Sequence, residues 1–124
     1  MLNTTAVIFA GNLASDPELR FTSSGKAVVE IRVMVNRRAR GDNPGEYVDA
    51  EPTAWSCKLW GDLAQHTADS VGRGDRVLVH GHIETEAWTD RETGTKRTKD
   101  IVNVVDIGVS LSWASATPTR GDKA

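Results

Sequence analysis

Four tryptophans lie among 124 residues, at positions 55, 60, 88 and 113, and lysines or arginines stand close to two of them. Flat rings flanked by cations are the groups that hold a single nucleic-acid strand. Each base stacks on a π-face whatever its identity, contributing about 1–3 kcal/mol, while the cations meet the phosphates. Trp60 alternates with Lys58 and Ser56, which puts all three on the strand face opposite Cys57 and Leu59. On that face Trp60 is a stacking platform; the competing reading packs it beneath the helix that begins at Gly61. Trp88 opens the run Trp88-Thr89-Asp90-Arg91-Glu92-Thr93-Gly94-Thr95-Lys96-Arg97, where it either meets a base or stabilises its own hairpin by cross-strand packing. Trp55 shares a face with Cys57 and Leu59 and is assigned to the core or a subunit contact, and Trp113 to a cover over one end of the domain.

The cations are unevenly spread. From position 20 to position 40, Arg20, Lys26, Arg32, Arg37, Arg38 and Arg40 are opposed only by Glu30, after which Asp42, Glu46, Asp49 and Glu51 form an acidic stretch. The formal net charge is −2, so a polyanion would be held by this local ridge and not by the overall field. The plain alternative is a mixed, solvated surface. His80 and His82 share a strand face, and they would bind zinc only if His66 or a carboxylate converged on them. With no HExxH, Gly-rich phosphate loop or nucleophile elbow, neither catalysis nor a metal or other cofactor is expected. Cys57 is the single cysteine, which excludes an intrachain disulfide and a Cys-based zinc cage; a buried thiol is expected.

These side chains need strands to hold them. Strand-like segments recur at about residues 4–11, 27–37, 54–60, 75–88 and 97–111, separated by Gly-, Pro- or Asp-containing connections. One helix is predicted from Gly61 to Val71, where Leu63, Thr67 and Val71 share a face with Ala64 and Ala68, and Gly72 and Gly74 supply the stop. Five strands with a helix between the third and fourth is the order of an all-β OB-fold, a five-stranded Greek-key barrel whose sheet face and loops bind oligonucleotides. Residues 41–45 and 89–95 read as protruding loop tips, with Gly94 as a positive-φ residue. The predicted domain runs over residues 1–112, and the small, polar residues 113–124 read as a mobile extension. No run reaches membrane-spanning length and no leader precedes the first strand, so a cytoplasmic place and no membrane partner are expected.

The stretch from Gly11 to Val28, with the pattern GNL-x-x-DPELR-x-T-x-x-G-x-AV, resembles the bacterial single-stranded DNA-binding protein (SSB) family. The Trp88 run resembles that family's W-T-D-x-x-G-x-x-R element, and Gly74 to Gly81 its G-x-x-V-x-V-x-G strand. Asp106 to Leu111 is similar to its closing segment in actinobacterial members. The resemblance covers nearly all of residues 3–113 and implies an OB-fold that assembles as a homotetramer and protects single-stranded DNA in replication, recombination and repair. The candidate contacts are then Trp60 and Trp88 for bases, and Arg20, Lys26, Arg32, Arg37, Arg38, Lys58 and Arg97 for phosphates. The chain departs from the family pattern in carrying Ala39 and Ala54 where many members have rings, and Glu84 and Glu86 where basic residues are common. The usual Gly/Pro/Gln-rich linker and acidic, Phe-tipped tail are not among these residues, so weaker binding and no tail-mediated recruitment are expected. An OB-fold interaction module that touches nucleic acid only weakly is the alternative.

Overall fold

Every second residue of Val29-Ile31-Val33, Cys57-Leu59 and Val77-Val79 is buried, and these inward sets turn three strands about one core. The computed structural model describes residues 5–121, with 37–40 and 49 described by their backbone alone. The elements are β1 (Thr5–Leu13), β2 (Glu18–Phe21), β3 (Ala27–Arg40), β4 (Tyr47–Trp60), α1 (Gly61–Ser70), β5 (Arg76–Thr89) and β6 (Lys96–Val109). They form one sheet in the order β1-β5-β6-β4-β3-β2, and a further β1–β3 pairing closes five of the strands into a barrel. The β4–β6 junction is parallel, through Cys57↔Val102 and Lys58↔Asn103; β1–β3, β1–β5, β3–β4 and β5–β6 are antiparallel. This is the predicted OB-fold barrel.

One strand lies outside the prediction. Residues Glu18–Phe21, read from sequence as part of a turn-rich connection, form β2 and pair with β3 from Glu18↔Glu30 to Phe21↔Ala27. All four residues are exposed, so no buried alternation marks them. Their strand geometry comes from the turn at Thr22–Lys26, where the Lys26 carbonyl accepts from the Thr22 N–H at 2.8 Å and Gly25 takes φ +86°. Similarly, β4 begins at Tyr47, well before the predicted start at 54. Pro52 looks like a strand breaker, yet it falls in the register shift between Val35↔Thr53 and Arg37↔Ala50, where its missing N–H is not required.

Leu13, Val29, Val33, Leu59, Val77, Val79 and Val102 fill the barrel together with Ile31, Cys57 and Ala64. Helix α1 adds Ala64 and Thr67 as its buried residues, and Leu63 and Ala68 pack beside them. The Thr67 hydroxyl satisfies itself on the Leu63 carbonyl at 2.7 Å, four residues back. Gly61, at φ +66°, turns the chain into the helix directly after Trp60. After Ser110 the chain has no strand or helix through Gly121; the remaining predicted extension, 122–124, and residue 4 of the predicted first strand lie outside the described residues. Among the described residues no helix is long and apolar enough to cross a membrane.

Two stability measurements follow from this core. A Cβ on Gly11 would stand 2.5 Å from the Met34 carbonyl oxygen and 2.9 Å from Val33 Cγ1. Gly11→Ala is therefore expected to destabilise the fold by about 1–3 kcal/mol through overpacking, read as a lowered urea midpoint. Burial pushes the Cys57 thiol up to about 12, and the residue is 2% exposed. Because the thiolate is the reactive form, Cys57 is expected to resist an aromatic disulfide reagent at pH 8 in the native protein and to react promptly in urea. Rapid native labelling would contradict this placement.

Candidate nucleic-acid interface

The outer face of β3 and β4 is set in register by the pairs Val28↔Trp60, Glu30↔Lys58 and Arg32↔Ser56. Strand alternation turns these side chains away from Val29, Ile31, Cys57 and Leu59, which are buried. Trp60 is 37% exposed, so α1 does not bury it. Lys26, one residue before β3, lays its ammonium 4.9 Å from the centre of that ring, a cation–π contact that also places a positive charge beside a stacking surface. Arg32 is exposed on the same face and its guanidinium donates to Ser56 Oγ at 3.4 Å. Arg20 reaches across from β2 to within 3.9 Å of Glu30, and both side chains remain largely solvated.

The second ring lies on the β5–β6 hairpin. Trp88 is 47% exposed and stands opposite Arg97. Arg97 Nε donates to Asp90 Oδ2 at 3.2 Å, while Asp90 Oδ1 accepts the backbone N–H of Glu92 at 2.9 Å. Arg97 thus holds the hairpin turn as well as facing solvent. Gly94 takes the positive φ, +70°, that the sequence implies.

Lys58 is differently placed from the other cations. Its side chain is 20% exposed, its Nζ donates to Glu86 Oε2 at 2.7 Å, and Glu30 Oε1 lies at 3.6 Å. The hydrogen bond to Glu86, aided by the charges of Glu86 and Glu30, holds the ammonium above the usual lysine range, while burial pulls the other way. Glu86 is therefore turned onto Lys58, and Glu84 is exposed. Between β3, β4 and β6 runs a groove of about 240 Å³, lined by Glu30, Arg32, Ser56, Lys58, Lys99 and Ile101, among others.

Lys99 was not among the residues singled out from sequence. It lies two positions from Arg97 in β6, so the alternation that marks Arg97 marks Lys99 equally. Ser15, also on the groove, comes from the β1–β2 connection and carries no sequence signal. Arg37 and Arg38 belong to the β3–β4 arm, where their backbones pair with Ala50 and Asp49; their side chains lie outside the described residues, as does that of Ala39. The groove thus gathers Arg32 and Lys58, with Trp60 on the same face, and leaves Trp88 and Arg97 on the hairpin.

The other aromatic and ligating candidates resolve simply. Trp55 stacks on Phe9, ring centres 5.2 Å apart at 16°, and packs against the core. Trp113 corrects the expectation that it covers the barrel end: it is 78% exposed and holds the Arg76 guanidinium 4.7 Å from its ring centre. The His80 and His82 rings lie 6.0 Å apart, and among the described residues no three His, Cys, Asp or Glu side chains converge as a metal-ligating group.

Known proteins resemble this chain both in sequence and in fold. Over all 124 residues the chain is 40% identical to a protein of Mycobacterium leprae named single-stranded DNA-binding protein, and it spans 73% of that protein's length. It is 39% identical over 120 residues to single-stranded DNA-binding protein 2 of Streptomyces coelicolor, covering 97% of this chain and 60% of that one. The crystal structure of a small single-stranded DNA-binding protein from Streptomyces coelicolor superposes with a TM-score of 0.73 at 25% identity, over 91% of this chain and 100% of that one. Residues 4–110 match the model of the single-strand binding protein family, and the chain belongs to that family.

Proposed function

We propose that this protein binds single-stranded DNA without reading its sequence and shields it during replication, recombination and repair. The observation that carries this reading is the exposed Trp60 ring beside Lys26 on the outer β3–β4 face, with Arg32 on the same face, in a chain of this family. Bases stack on Trp60 and Trp88, and Arg20, Lys26, Arg32, Arg37, Arg38, Lys58 and Arg97 are the candidate phosphate partners. Nothing in that mechanism breaks or makes a covalent bond, so the protein acts as a binder and not as an enzyme. The family supports a place of action in the cytoplasm.

Assembly into a homotetramer is part of the same proposal. Ile8, 71% exposed, and Leu78, 52% exposed, lie on the outer side of the β1–β5 sheet, where Ile8 faces His80 and Ala10 faces Leu78 across the ladder. Adjacent exposed aliphatic side chains of this kind favour contact with another copy of the chain. Ile8→Asp is expected to lower the particle mass measured by light scattering; an unchanged mass would place the subunit contact elsewhere.

The central test is a tryptophan-fluorescence titration with oligo-dT and with a matched duplex, at low and moderate salt. Quenching by the single strand alone is expected, and Trp60→Ala or Trp88→Ala should each weaken binding by about 1–3 kcal/mol per stacked base. The logarithm of affinity should fall with the logarithm of salt by roughly 0.7 for each phosphate contact, and Lys26→Ala should remove one such increment. Absence of binding in a second assay that does not depend on tryptophan would leave the interaction-module reading in its place.

A further inference from the structure

Lys58 lines the groove, yet in the free protein its ammonium is already engaged. Glu86 of β5 holds it at 2.7 Å and Glu30 of β3 approaches to 3.6 Å, with the lysine side chain 20% exposed. An ammonium has three donors, and here carboxylates approach from two sides. A phosphate arriving at Lys58 therefore has to displace a carboxylate or share the ammonium with two negative charges. Arg32, by contrast, donates to a neutral hydroxyl at 3.4 Å, and Lys26 rests on the Trp60 ring; neither forms a salt bridge with a carboxylate among the described residues. The Lys58–Glu86 pair also joins the outer face of β4 to the β5–β6 hairpin, so exchanging Glu86 for a phosphate loosens that tie.

We infer that Glu86, backed by Glu30, is an internal competitor for phosphate: it occupies Lys58 in the free protein and limits the affinity of the groove for a nucleic-acid strand. This rests on the single-strand-binding reading above. It assigns a role in setting affinity to two acidic residues, and it removes Lys58 from the set of cations that are ready to bind.

The experiment is a four-protein cycle of the unaltered chain, Glu86→Gln, Lys58→Gln and the double variant, each titrated with oligo-dT at about 50 and about 200 mM salt. If Glu86→Gln frees one further phosphate contact, its salt slope should steepen by roughly 0.7; relative to 1 M salt that is a gain of about eightfold at 50 mM and about threefold at 200 mM. Lys58→Gln should then weaken binding clearly in the Glu86→Gln background and little in the unaltered one, a non-additivity that neighbouring, coupled residues produce. Glu30→Gln should act in the same direction with a smaller gain, and it keeps the test decisive if Glu86→Gln disturbs the hairpin. Binding by the unaltered protein with no gain from either glutamine variant, and an equal loss from Lys58→Gln in both backgrounds, would overturn the competitor role alone. No binding by the unaltered protein or by Glu86→Gln would overturn the single-strand-binding reading itself.

Discussion

Closure of the barrel depends on bare backbone at two strand crossings. The end of β1 pairs on both sides at once: Asn12 meets Arg76 of β5 and Met34 of β3. Gly11 lets the β3 backbone come so near that a methyl group there would collide with the Met34 carbonyl. Gly81 does the same for β5 and β6, where a Cβ would stand 2.5 Å from the Asn103 carbonyl oxygen, at the shift of register that follows His80. Sharp coiling at such points lets a sheet of five strands return on itself. Once closed, the inner surface is filled by aliphatic side chains, and the outer surface of β3 and β4 is left to carry Trp60, Lys58 and Arg32 in fixed register. The position of the ring thus follows from a constraint on backbone far from it in sequence.

That outer surface is mixed in charge. Each of Arg20, Lys58 and Arg97 has a carboxylate within salt-bridge distance, and the formal net charge of the whole chain is −2. Exposed pairs such as Arg20–Glu30 contribute little to stability, because water and salt screen them and two long side chains lose freedom. Their main effect is on the field met by an approaching polyanion. Stacking on rings does not suffer from this neutralisation, and so the aromatic residues bear a larger share of the proposed interaction than a count of cations implies.

Much of the barrel was legible because its strands are half-buried. Val29, Ile31 and Val33, then Cys57 and Leu59, alternate strictly, and α1 shows its apolar face through Leu63, Ala64, Thr67 and Ala68. Trp60 could be placed on the outer face by the same alternation. Strand β2 could not be found this way, since all four of its residues face water and leave no period to read. The start of β4 was hidden by Pro52, whose lost hydrogen bond is harmless only in the bulge that the partner strand provides. Lys58 was recognised as a surface cation, but its partner Glu86 lies 28 residues away and is brought to it by the β5–β6 hairpin crossing the sheet. Trp113 failed for a related reason: its setting is decided by Arg76 beneath the ring and not by its neighbours in sequence.

The parallel junction of β4 with β6 is short, joined among the described residues at Cys57↔Val102 and Lys58↔Asn103, whereas β5 and β6 pair from Val77↔Val109 to Thr89↔Lys96. The barrel wall therefore has a seam, and the seam runs beside Lys58. Two rungs resist widening less than a long ladder does, so the side-chain packing of Cys57 and Val102 in the core, and not the backbone ladder, does most to hold this line closed. On the proposed reading, a strand laid along the groove crosses the wall at its shortest stitch, beside Lys58, where the backbone offers least reinforcement and the interior packing most.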